Sequence, residues 1–198
     1  MKKYLAELLG TFVLCSVVAL SPGGMFPVPT GVLAALTVAV FVYTIGHISG
    51  THLNPAVTIG AWSIHKIRTK DVPGYVVAQM AGAGLAFALA HATLGIPPLA
   101  EYSSSLAIGF AELFGTFLLT FGIASVMYGK TKEEISGIAI GGSLLIGVAS
   151  AALIGSSGAL NPAVAFSVGS LNLMYVLGPI CGGILGMQVY KYLCTQKN

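Results

Sequence analysis

The stretch Leu53-Asn54-Pro55-Ala56-Val57 occurs twice: it returns as Leu160-Asn161-Pro162-Ala163-Val164, an offset of 107 residues. Asn is a favoured helix N-cap and Pro a favoured first helical residue, so each copy reads as a helix start. The apolar piece that follows each start is too short to cross a bilayer. The first runs from about Asn54 to Ser63, the second from Asn161 to about Gly169. Ten helical residues rise ~15 Å, about half of a hydrocarbon core ~30 Å thick. Both copies are expected to be half-helices whose N-termini lie at depth.

The flanking stretches do cross. About 20 apolar residues of helix span the core, and six segments qualify: 4–20, 31–48, 73–95, 105–128, 135–154 and 173–193. In lipid the backbone must satisfy its own hydrogen bonds, which makes these helices; the alternation of a membrane barrel is absent. Composition agrees. Of 198 residues only 8% are charged and 56% are hydrophobic, with a mean hydropathy of +0.89. A soluble domain carries roughly 25% charge, so this chain cannot coat itself for water. The net charge of +3 does not point to nucleic acid, because no basic patch interleaves with aromatics. Lys2-Lys3 before an apolar run resembles a secretory signal, but Glu7 interrupts that run and the same stretch recurs later. Cys15, Cys181 and Cys194 lie in or beside apolar stretches. They carry no disulfide or metal spacing and read as small hydrophobes.

Charge placement gives orientation. With the N-terminus cytoplasmic, Lys2, Lys3, Lys66, Arg68, Lys70, Lys130, Lys132, Lys191 and Lys197 all fall on that side. Those are all nine basic residues, and segments 21–30, 96–104 and 155–172 hold none, as the positive-inside rule requires. Both termini are then expected in the cytoplasm.

The duplication extends beyond the motif. Ala6-Glu7-Leu8-Leu9-Gly10-Thr11-Phe12 returns as Ala111-Glu112-Leu113-Phe114-Gly115-Thr116-Phe117, and Tyr75-Val76 with Gly82 and Leu85 as Tyr175-Val176 with Gly182 and Leu185. Three spans per copy is odd, so the second copy enters from the opposite face. The chain reads as one domain of two inverted repeats, about 1–96 and 105–198, with its site near the midplane where the half-helices meet.

The two asparagines carry the central chemistry. Each side-chain oxygen can cap its own half-helix, which leaves the NH₂ group to face a lumen as a donor. The half-helix dipoles add positive potential at the same place and disfavour cations. Glu7 and Glu112 are intramembrane acids, a costly placement that marks function. Two roles compete for them: a proton relay, or acceptance of backbone NH groups from the irregular loops. His91 has no ligand-type neighbour at metal spacing, and nothing indicates a bound cofactor.

Taken together, these residues resemble the major intrinsic proteins, the aquaporins and glycerol facilitators. The likeness is carried by Gly46-His47-Ile48-Ser49-Gly50-Thr51-His52-Leu53-Asn54-Pro55-Ala56-Val57-Thr58, by residues 6–12 and 111–117, and by Tyr175 through Gly186, so that it covers essentially the whole chain. It implies an all-α, aquaporin-like membrane protein of six transmembrane helices and two re-entrant half-helices, passing water or small neutral solutes as a homotetramer with one pore per subunit. It also implies that Glu7 and Glu112 buttress the loops and that His52 stands near the cytoplasmic mouth. His47 reads as a packing or hydrogen-bonding residue. The outer constriction is where this chain departs from the family. Most relatives place Arg directly after the second Asn-Pro-Ala; here it is Val164. Counting without gaps from the motifs puts Ala34, Ala149 and Gly158 beside it, a wide apolar filter suited to glycerol or other small neutral solutes, dissolved gases included. The segment also has Ala165 where glycerol facilitators carry an acid. A shift bringing Phe26, Phe41 or Tyr43 to the outer mouth would close that filter. A secondary transporter also fits inverted repeats with broken helices, but it predicts coupling-ion ligands beyond the two glutamates. An intramembrane enzyme would need a nucleophile–base set, which His47, His52 and His91 do not make.

Overall fold

A computed structural model describes residues 1–23, 27–95 and 104–195; Phe26, Lys197 and most of segment 96–104 lie outside it. Eight α-helices run in chain order: α1 (Lys2–Leu20), α2 (Thr30–Ser49), α3 (Pro55–Ser63), α4 (Val72–Leu94), α5 (Leu106–Met127), α6 (Ser136–Leu153), α7 (Pro162–Ser167) and α8 (Leu173–Thr195). Six are long and apolar enough to cross a membrane, and their ends fall within two residues of the expected spans. The described residues contain no strand. The second half-helix is shorter than its apolar run suggested. It stops at Ser167 because Gly169 turns left-handed at φ 72 and Ser170 N–H bonds back to Ala165 O at 2.8 Å, a closure typical of helix C-termini.

Packing interlocks the halves. α1 lies on α4 and α5 on α8, while α3 packs chiefly on α8 and α7 on α4. Each half-helix is thus seated against the last long helix of the other half, with α2 and α6 closing the ring. Lipid offers no hydrophobic drive for this, so close backbone approach matters. A Cβ on Gly82 would run into the carbonyl of Leu8, and one on Gly182 into that of Leu113. The α1–α4 and α5–α8 contacts therefore depend on two glycines that correspond in the sequence repeat. At one end of the molecule, buried Asp71 draws Lys3 Nζ (2.7 Å), Arg68 Nε (2.9 Å) and Tyr4 Oη (3.2 Å) together. This fixes the start of α1 to the start of α4.

The same substitution at two glycines separates close packing from propensity. Gly182→Val is expected to cost about 3 kcal/mol or more, or to prevent folding. Gly142→Val, where a Cβ meets nothing within 4 Å, should change stability by no more than about 0.5 kcal/mol. Denaturant titration of the detergent-solubilised protein measures both; equal losses would refute the packing account.

Candidate functional site

The half-helices begin as their sequences require. Asn54 (φ −156, ψ 122) and Asn161 (φ −154, ψ 113) are extended caps followed by Pro55 and Pro162. Asn54 Oδ1 accepts from Ala56 N at 2.8 Å, and Asn161 Oδ1 from Ala163 N at 2.9 Å. The side-chain NH₂ groups are not left wholly to the lumen. Asn54 Nδ2 donates to Leu160 O at 2.9 Å, and Asn161 Nδ2 donates to Leu53 O at 3.0 Å. Each amide has two hydrogens, so one ties the opposite loop and one remains. Nothing local to either motif encodes this crossing.

Leu53 and Leu160 sit at φ 49 and φ 51, a left-handed backbone that costs a non-glycine residue of order 1–3 kcal/mol. Both are almost fully buried, and buried glutamates hold them there. Glu7 accepts from His52 N (2.9 Å), Leu53 N (2.7 Å) and Gln79 Nε2 (2.8 Å). Glu112 accepts from Ala159 N (3.0 Å), Leu160 N (2.6 Å) and Ser156 Oγ (2.5 Å). Neither carboxylate makes an ion pair among the described residues; both recorded pairs use Asp71. The third donors differ between halves because Pro179 in α8 stands where Gln79 stands in α4. Gln79 and Ser156 were not singled out from sequence. A glutamine inside an apolar span was the available signal for the first.

A cavity of about 260 Å³ runs past both asparagines. Ala34, Gly158 and Val164 are on its wall, together with Val148. Ala149 is not; it is exposed on the outside of α6. The gapless count is therefore one residue off in α6, and one residue turns a helical side chain by about 100°. Val148, one residue earlier, lines the cavity instead, with a larger side chain that is no more polar. Gly158 fits there at φ 69, and a Cβ would come within 3.0 Å of Val148 O. Leu14, Val38, Val57, Leu119, Ile140 and Leu144 make much of the remaining wall. Phe41 is half-buried against the core and off the cavity wall. Tyr43 hydroxyl donates to Glu134 O at 3.0 Å, towards the opposite end of α6 from Val148, and is also off that wall.

His52 lines this cavity and a second, inner one of about 680 Å³. Its Nδ1 lies 3.1 Å from Thr58 Oγ1, which accepts from Gln79 Nε2 at 2.9 Å. The ring is thus coupled to the Glu7 cluster. Ile123 and Ile140 also line both cavities. His47, expected to pack or to hydrogen-bond, is exposed on the inner cavity's wall.

Residues 1–190 match the family model described as "Major intrinsic protein". The chain is 33% identical over 211 residues to Aquaporin NIP1-3 of Oryza sativa subsp. japonica, covering 97% of this chain and 73% of the relative. It is 30% identical over 250 residues to Aquaporin AqpM of Methanothermobacter thermautotrophicus, covering 98% of each. The X-ray structure of the aquaglyceroporin from Plasmodium falciparum superposes with a TM-score of 0.72 at 25% identity, over 98% of this chain and 96% of that one. Six apolar helices and the aquaporin fold make this an integral, multi-pass membrane protein. The chain belongs to the major intrinsic protein family.

Proposed function

We propose that the chain is a passive transmembrane channel for water and small uncharged solutes such as glycerol, and not an enzyme. The 260 Å³ cavity is its conduction path, formed where two inverted repeats, about 1–96 and 105–198, meet in one domain. The observation that carries this reading is a cavity wall holding both Asn54 and Asn161, with no charged residue on it among the described residues. A molecule crossing the midplane meets two amide donors and turns an acceptor towards them. The aliphatic wall opposite offers no competing hydrogen bond, so that orientation is enforced locally. The half-helix N-termini disfavour cations at the same point.

The outer ring of Ala34, Val148, Gly158 and Val164 has no side-chain donor or acceptor. It screens by size and polarity alone, which suits the carbon face of a small polyol. Glu7 and Glu112 act as loop supports, since every bond that they accept comes from the re-entrant segments or from a neighbour of those segments. The charge distribution favours cytoplasmic N- and C-termini in the cell membrane, and the family supports a homotetramer.

Stopped-flow light scattering on proteoliposomes tests the reading. Fast osmotic shrinkage and linear, non-saturating glycerol uptake are expected, and saturable uptake coupled to an ion gradient would sink the channel reading in favour of a transporter. Val164→Arg should lower glycerol permeability by about 10-fold or more, the effect of a barrier raised by ~1.4 kcal/mol, while water flux persists. Unchanged glycerol flux in that variant would mean that this ring does not select.

Glu112→Gln distinguishes support from proton transfer. The glutamine oxygen can serve the donors now on Oε1, but its NH₂ would face Leu160 N–H. An unsatisfied buried donor costs about 1–3 kcal/mol, so stability should fall by that much and the water flux per folded channel should drop. Native stability and flux, with only a proton-dependent component lost, would overturn the support role.

A further inference from the structure

Among the described residues, the wall of the 260 Å³ cavity contains no Asp, Glu, Lys or Arg, whereas that of the inner cavity contains Lys66, Lys132 and Glu133. Of these three, Lys66 is the one whose charge is fixed in place. Its Nζ donates to Met127 O at 2.8 Å and stands 4.4 Å from the centroid of the Tyr128 ring. Met127 is the last residue of α5, so the ammonium caps the negative end of that helix. The side chain reaches from the segment after α3 to the far half of the molecule. Lys66 has no carboxylate partner within ion-pair distance among the described residues, since both recorded ion pairs belong to Asp71. Glu133 is on the same cavity wall but not in an ion pair with it, and Lys132 is there too, so the three side chains leave that wall with a net charge of +1.

We propose that Lys66 is a specificity-determining residue: a fixed positive charge on the inner cavity wall that raises the barrier to cations in a pore whose outer ring carries none. This rests on the reading of the two cavities as one conduction path. A sphere of 680 Å³ is about 11 Å across, comparable with a Debye length of ~8–10 Å at physiological salt. No ion can cross the inner cavity outside the reach of that charge. At ~8 Å a unit charge lowers cation occupancy about 2-fold at the dielectric constant of water and about 6-fold at half that value. Apolar protein walls push the effective value downward by focusing the field. The outer ring of alanine, valine and glycine can do nothing comparable, because it has no charge to focus.

The test measures K⁺ efflux and osmotic water flux on the same proteoliposomes. Lys66→Gln is expected to raise K⁺ leak per unit of water permeability by about 2- to 6-fold, and Lys66→Arg, which keeps the charge, is expected to leave it unchanged. In the wild type, raising ionic strength from about 20 mM to about 500 mM with an impermeant salt should increase K⁺ leak at fixed K⁺, because the charge is then screened. This second arm needs no variant and so stands if Lys66→Gln fails to fold. Fast water flux with no salt-dependent rise in leak, or an unaltered leak in Lys66→Gln, overturns the role of Lys66 and leaves the channel intact. Wild-type vesicles that shrink no faster than protein-free ones overturn the channel reading, and the role of Lys66 with it.

Discussion

Two hydrogen bonds cross the centre of the molecule: Asn54 Nδ2 to Leu160 O and Asn161 Nδ2 to Leu53 O. Each asparagine caps its own half-helix with its oxygen and grips the other half's loop with its nitrogen. The two half-helices are thereby fixed to each other as well as to their own supports. The grip works only because Leu53 and Leu160 present their carbonyls in a left-handed backbone, and that backbone persists because Glu7 and Glu112 hold the same residues by their amides. Carboxylate, strained leucine and opposing asparagine form one chain of dependence, repeated in each half. Removing any member leaves a buried polar group unpaired, and in a site this dry such a group is costly.

This arrangement also settles what the wall of the cavity can be. The loop amides of His52, Leu53, Ala159 and Leu160 are taken by the two glutamates, and the carbonyls of Leu53 and Leu160 by the opposing asparagines. The polar side chains on that wall are the two asparagines, His52, Thr30, Thr51 and Ser157. The facing surfaces of α2, α5 and α6 supply aliphatic side chains. A lumen with a sparse polar stripe and an apolar opposite wall favours a single file of small neutral molecules. Among the described residues, the charged side chains on the cavity walls belong to the inner cavity.

Much of the fold was legible from the sequence. Six spans and two half-spans follow from the membrane's thickness and from two Asn-Pro starts, and both glutamates stand out as acids in apolar helices. The misplacements have physical causes. Ala149 was put in the outer ring by counting, but helical direction changes by about 100° per residue and the count was one short. For His47 the sequence allows packing or hydrogen bonding, and the residue is exposed near the end of α2, where hydropathy carries no directional signal. The second half-helix ends early at Gly169 rather than with its apolar run. The crossing bonds, and the donors Gln79 and Ser156, join residues 44 to 108 positions apart. No local pattern encodes such a pairing; it exists only once the halves have docked.

The crossing tie is tested most directly by the water permeability per folded channel of Asn161→Asp. Aspartate keeps the capping oxygen for Ala163 N–H but has no hydrogen to give Leu53 O or a passing molecule. The expected result is a protein less stable by about 1–3 kcal/mol, with sharply reduced water flux. Native stability together with native flux would show that neither the tie nor the lumen donor matters, and would contradict the account.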